Sequence, residues 1–174
     1  MPDPAPFDPE RIVRALAHHK VRYVLVGALA ARLQGFPRLT ADADITPSRE
    51  TDNLAKLADA LRDLQARVYT ETVPEGLPFD ITAAGLSRSE LWNLVTSAGR
   101  LDIVFEPSGT RGYEELLKAA VSYEVFGVVI HAASLADIAR SKEAAARPQD
   151  IQDAELLREM LRREAAQKPK PRKP

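Results

Sequence analysis

Asp42 and Asp44 stand two residues apart in the segment Thr40-Ala41-Asp42-Ala43-Asp44-Ile45-Thr46. In a β-strand, residues i and i+2 share a face, so this spacing predicts two carboxylates side by side over a hydrophobic sheet. Left alone, two such charges repel by an amount on the order of a kcal/mol or more at the effective dielectric of a protein. A hard divalent cation removes the conflict, because Mg²⁺ takes carboxylate oxygens and keeps water and phosphate for the rest of its shell. Asp102 adds a third carboxylate inside Leu101-Asp102-Ile103-Val104-Phe105, an apolar run where a charge is unexpected unless it faces a site. If the two strands are neighbours, the three acids converge, and such a set suits metal-assisted phosphoryl transfer. Taken alone, Asp-x-Asp describes equally well the solvated face of an edge strand, with Asp102 in a salt bridge.

The residues around the pair fit a phosphate-handling site. Gly27 ends the apolar run Tyr23-Val24-Leu25-Val26 just before a helical pattern. At such a junction backbone N–H groups can approach an anion. Arg38 and Thr40 precede the aspartates, where a cation can hold phosphate or balance the acids. His18, His19 and His131 have no metal-ligand spacing, and neither a phosphate-binding glycine loop nor a Ser-His-Asp order is present.

The elements that must position these residues can be read from periodicity and punctuation. A helix is predicted from Asp8 as N-cap, with Pro9 at its first position, to about His19. A buried strand follows at Tyr23–Gly27, then a short helix over 28–34 that Gly35 and Pro37 stop. The aspartates lie on a strand over 40–46. Ser48 opens a helix through Leu64, with Leu54, Leu57, Ala58, Leu61 and Leu64 on one stripe. A strand over 68–72, a loop over 73–90, and two strands over 91–96 and 101–105 joined by a turn at 97–100 come next. A helix over 113–120 and a hairpin over 122–132 turning at Phe126-Gly127 follow. Two helices finish the chain, 134–146 and 150–166. Ser134 with Asp137, and Asp150 with Asp153, form capping patterns. The order predicts an α/β or α+β fold: a mixed sheet flanked by helices, with a helical C-terminal part at about 134–166. One domain over 8–166 is expected, between a flexible lead at 1–7 and a disordered basic tail at 167–174.

Two blocks resemble the nucleotidyltransferase toxins related to the abortive-infection protein AbiEii. The first runs from Val26-Gly27-Ala28-Leu29-Ala30-Ala31 through Gln34-Gly35-Phe36-Pro37-Arg38-Leu39-Thr40-Ala41-Asp42-Ala43-Asp44-Ile45. It is similar to a family pattern of Gly-Gly or Gly-Ser, a short helix, then Arg-x-Thr-x-Asp-x-Asp. The second, Lys142-Glu143-Ala144-Ala145-Ala146-Arg147-Pro148-Gln149-Asp150-Ile151-Gln152-Asp153, is similar to the family's Lys-x-x-Ala-x-Arg-x-Lys-Asp-x-x-Asp. The likeness spans about residues 20–160. Ala28 stands where the family carries Gly or Ser, and Gln149 where it carries Lys. The resemblance implies a nucleotidyltransferase-like sheet and transfer of NMP from an NTP to a hydroxyl on RNA, with tRNA 3′ ends as one acceptor, or on protein. It also implies a toxin with a cognate antitoxin, using Mg²⁺ or Mn²⁺. Asp42, Asp44 and Asp102 would be metal ligands, with Asp102 the base. Lys142 would contact the triphosphate, and Gly27, Ala28, Arg38, Thr40, Arg147 and Asp150 would line the nucleotide site. Asp150 and Asp153 can alternatively be helix caps. The other readings are a weakly active or inactive nucleotide- or partner-binding module on the same fold, and a regulatory protein with a solvated acidic face.

Composition is compatible with this. The 174 residues carry no cysteine, which excludes disulfides and thiolate metal sites and makes a reducing cytoplasm the simplest compartment. Net charge is −1, so the whole molecule is not a polycation drawn to nucleic acid. Basic residues concentrate in Lys168, Lys170, Arg172 and Lys173. Residues 1–10, with four prolines and no apolar run, do not read as a signal peptide. No segment approaches the ~20 apolar residues of a membrane span.

Overall fold

The computed structural model describes residues 5–169. Residues 1–4 of the expected lead and 170–174 of the expected basic tail lie outside the described residues. Phe7 packs partly buried against the core, and the Asp8 N–H donates to the Ala98 carbonyl at 2.9 Å.

The first half of the chain is α1 (Pro9–His18), β1 (Tyr23–Val26), α2 (Gly27–Leu33), β2 (Asp42–Pro47), α3 (Thr51–Asp63) and the two-residue β3 (Arg67–Val68). After the short α4 (Ala83–Leu86) come β4 (Leu91–Thr96), β5 (Gly99–Val104) and α5 (Tyr113–Ala119). The hairpin β6 (Val121–Val125) and β7 (Val128–Ala132) then leads into α6 (Leu135–Ala145) and α7 (Pro148–Gln167).

Local chemistry explains most boundaries. Asp8 caps α1 by accepting from the Arg11 N–H at 3.1 Å, with Pro9 at the position that needs no donor. Ser134 caps α6 by accepting from the Asp137 N–H at 3.1 Å. Phe126 and Gly127 both have positive φ, 53° and 74°, which is the turn whose twist matches a two-residue hairpin.

The strands form one seven-stranded sheet in the order β3-β4-β5-β2-β1-β7-β6. β2 runs antiparallel to β1 and parallel to β5, and β1 runs parallel to β7. Leu25, Ile45, Leu94, Leu101 and Ile103 from the sheet join Ile12, Leu16, Leu57 and Leu61 from α1 and α3 in one buried cluster. Each fully buried side chain of this kind contributes about 1.5–3 kcal/mol. This is the mixed sheet with flanking and C-terminal helices that the element order predicts. No helix among the described residues is long and apolar enough to cross a membrane.

The differences have identifiable causes. α3 begins at Thr51 rather than Ser48, because Ser48 prolongs the pairing of β2. Its N–H donates to the Arg22 carbonyl at 3.1 Å, and its own carbonyl accepts from Asn53 Nδ2 at 2.9 Å. Gly99 and Arg100 belong to β5, and the turn is Ser97-Ala98, closed by the Thr96 hydroxyl donating to the Gly99 carbonyl at 2.8 Å. The strand expected over 68–72 is cut to Arg67–Val68. The loop expected over 73–90 contains α4, which the Thr82 side chain caps by accepting from the Gly85 N–H at 3.0 Å. α7 starts at Pro148 with Arg147 as its N-cap, so Asp150 lies inside the first turn instead of capping it.

Candidate active site

Three register pairs assemble the acidic cluster. Asp42 lies opposite Arg100 and Asp44 opposite Asp102 in the parallel β2–β5 pair, and neighbouring strands are about 4.8 Å apart. Residues in register on adjacent strands share a face, so Asp42, Asp44 and Asp102 stand on one side of the sheet. Ala43, Ile45, Leu101 and Ile103 alternate with them and are buried in the core. On the other flank Val26 lies opposite Asp44 in β1, which sets the start of α2 beside that carboxylate. Gly27 has φ +67°, and a Cβ there would come within 2.3 Å of Asp44 Oδ2. Glycine is thus required twice at this position, for backbone conformation and for clearance.

The three aspartates line one cleft of about 700 Å³ together with Gly27, Ala28, Lys142, Arg147 and Asp150. Burial pushes Asp44 up to about 7, with the charges of Asp42 and Asp102 adding to it and Lys142 and Arg100 opposing. Burial likewise raises Asp102; the charge of Arg100 opposes this and that of Asp42 adds to it. Asp102 Oδ1 is buried without a hydrogen-bond partner among the described residues, although Arg100 Nη2 lies 3.6 Å away. The Arg100 guanidinium itself stacks 3.8 Å from the centroid of the Tyr69 ring. Asp42 is steadied by the Thr40 hydroxyl, which donates to its Oδ1 at 2.6 Å.

The opposite wall comes from α6 and α7. Lys142 Nζ lies 3.3 Å from Asp150 Oδ1 and 3.2 Å from Asp153 Oδ2. Arg147 Nε donates to Asp150 Oδ2 at 2.5 Å. Burial pushes Asp150 up, but the Arg147 hydrogen bond and the Lys142 charge outweigh it and hold the group below the usual carboxylate range. Arg147 is largely exposed, whereas Asp150 and Asp153 are only 4% and 2% exposed.

The donor set meets part of what a hard cation needs. All the ligand atoms on offer are carboxylate oxygens, one of them is orphaned in a buried place, and ionising the cluster is costly without added positive charge. Among the described residues no three acidic or histidine side chains are already drawn together as a cation cage. Two carboxylates with phosphate and water completing the shell is the arrangement typical of Mg²⁺.

No family model and no curated protein matches the chain. Solved structures do. TM1012 from Thermotoga maritima, a proposed nucleotidyltransferase, is similar over 91% of this chain and 97% of its own, at 19% identity and a TM-score of 0.50. The solution structure of the antibiotic-resistance factor ANT(2'')-Ia is similar over 91% of each chain, at 17% identity and a TM-score of 0.50. The chain has a nucleotidyltransferase-like fold.

Within that nucleotidyltransferase-like fold, Gly27, Ala28, Asp42, Asp44, Asp102, Lys142, Arg147 and Asp150 all line the cleft. Arg38 and Thr40, expected in the nucleotide site, are not among the residues that line the cleft. Arg38 is turned toward α7, its Nη2 2.7 Å from Asp153 Oδ1 in an ion pair without hydrogen-bond geometry, and the Thr40 hydroxyl donates to Asp42. Neither Asp150 nor Asp153 is a cap, since both carboxylates are occupied by side-chain cations. Sequence reasoning passed over Arg100, although it stands two residues before Asp102 and therefore on the same strand face. It also passed over Glu90, Asn93, Glu106 and Asp137, which line the cleft. Only the strand pairing, Asn93 opposite Asp102, brings Asn93 to the site.

Proposed function

We propose that this chain is an enzyme that transfers a nucleotidyl group from an NTP to an acceptor hydroxyl. The observation that carries the reading is the β2–β5 register, which stands Asp42, Asp44 and Asp102 together in a cleft shared with Lys142 and Arg147. Asp42, Asp44 and Asp102 are the residues that would hold Mg²⁺ or Mn²⁺, which supplies positive charge at the phosphates and makes the clustered carboxylates compatible with ionisation. Asp102, raised by burial, is suited to accept the acceptor's proton. The hydroxyl oxygen forms a bond to the α-phosphorus, the bond from that phosphorus to the bridging oxygen of the β-phosphate breaks, and pyrophosphate leaves. Lys142 and Arg147, which line the cleft, would hold the outgoing phosphates by charge. Gly27 and Ala28 line the same cleft.

For the acceptor, the likeness of the two sequence blocks to AbiEii-related toxins supports RNA, including a tRNA 3′ end, or a protein hydroxyl. It also supports a toxin role in the cytoplasm opposite a cognate antitoxin. Radiolabelled NTP with Mg²⁺ and total RNA or protein tests the reading: wild type labels an acceptor and Asp44→Ala does not, while its circular dichroism is unchanged. Equal labelling by the variant refutes it. Ala28, in place of a residue with a hydroxyl or of a second glycine, favours a second reading, a nucleotide-binding module that does not turn over. Calorimetric NTP binding without transfer to any acceptor selects that one.

A further inference from the structure

Between the cleft and the loop over 35–41 runs a chain of alternating charges: Arg147, Asp150, Lys142, Asp153, Arg38. Its spacings are 2.5 Å from Arg147 to Asp150, 3.3 and 3.2 Å from Lys142 to Asp150 and Asp153, and 2.7 Å from Arg38 to Asp153. Lys142 is at its centre and is 16% exposed, and the two carboxylates are almost fully buried. An ammonium group has three donors. Two face Asp150 and Asp153, and Lys142 also lines the cleft, which leaves one donor for a ligand.

A lysine shared by two buried carboxylates sits in a net negative trio. Its charge is then consumed internally, and an anion arriving from the cleft meets repulsion. The outer arginines change that sum, since three cations against two carboxylates leave the chain of five at +1. Arg147 balances Asp150 and Arg38 balances Asp153. Arg38 is also two residues from Thr40, whose hydroxyl donates to Asp42 Oδ1. One short loop therefore supports both walls of the cleft.

We infer that Arg38, acting through Asp153, is a positioning residue that keeps the charge of Lys142 free for a polyphosphate anion. This rests on the nucleotide reading above. Arg38 touches no ligand in this scheme; it offsets the negative charge that Asp153 sets against the lysine. The guanidinium is partly exposed, so Arg38→Gln is compatible with folding. Asp153→Asn, which removes the charge that Arg38 offsets, makes the second variant.

The test is calorimetric titration of the full chain with an NTP, with inorganic triphosphate and with the corresponding nucleoside, all with Mg²⁺, alongside thermal melts. Arg38→Gln weakens NTP and inorganic triphosphate about tenfold, the effect of losing one well-placed charge, and leaves the nucleoside within twofold. Arg38→Lys recovers most of the loss. Arg38→Gln combined with Asp153→Asn recovers triphosphate binding, because the uncompensated carboxylate is gone. Triphosphate binding by Arg38→Gln within twofold of wild type overturns the inference, as does an equal loss of nucleoside. A wild type that binds neither NTP nor inorganic triphosphate overturns the nucleotide reading and this inference with it.

Discussion

Replacing Asp44 by Asn should stabilise the metal-free protein, and more at pH 8 than at pH 5. Asp44 titrates from 3.8 as an ordinary carboxyl but near 7 in the folded chain. Between those values the native state holds a proton that the unfolded chain has released, so stability falls as pH rises through the window and levels off above 7. From pH 5 to about 7 the loss is at most ~3 kcal/mol at 1.36 kcal/mol per pH unit. Water in the cleft screens part of it, leaving about 1–2 kcal/mol. The Asn variant lacks this term and also relieves Asp42 and Asp102 of a like charge. Urea unfolding in EDTA, followed by circular dichroism at both pH values, measures the difference between variant and wild type, so that other titrations largely cancel. The advantage of Asn should grow by about 1–2 kcal/mol from pH 5 to pH 8 and shrink when Mg²⁺ replaces EDTA. An advantage that stays constant with pH would refute the argument that burial and neighbouring charge strain Asp44.

Two further substitutions probe the same cluster. Gly27→Ala adds a methyl group where Asp44 Oδ2 would be 2.3 Å away, whereas Gly127→Ala, at a similar φ of +74°, meets nothing within 4 Å. Both should lose about 1 kcal/mol in chemical unfolding from the left-handed backbone alone, and only Gly27→Ala should lose more and abolish nucleotidyl transfer. Thr40→Val removes the hydroxyl that donates to Asp42; kcat/KM should drop about tenfold with a melting temperature close to wild type.

The acidic cluster was legible because period-two spacing survives translation into structure. Asp42 and Asp44 are i, i+2, and the apolar run around Asp102 identified a strand. What one strand's sequence does not encode is which strand lies beside it, so the Asp44–Asp102 pairing appears only with the sheet order. Caps written in consecutive residues, Asp8 with Pro9 and Ser134 with Asp137, were also readable. Asp150 and Asp153 carried the same local pattern, but tertiary partners claimed their carboxylates: Lys142 from the preceding helix, and Arg38 from more than a hundred residues away. Arg38 was misplaced for that reason. A loop arginine beside two aspartates looks like their counter-charge, and nothing local indicates that it turns to α7. The helix start at Ser48 failed because pairing with Arg22 competes with helix formation there.

β2 is the fourth of seven strands, with β1 hydrogen-bonded on one side and β5 on the other. Its two aspartates are thus fixed to the part of the molecule least free to fray, where amide exchange approaches the rate of whole-chain unfolding. The cations opposite are carried on a peripheral helical pair. The cleft thus has a floor built into the middle of the sheet and a wall carried on two helices, and the loop bearing Thr40 and Arg38 links the two through Asp42 and Asp153.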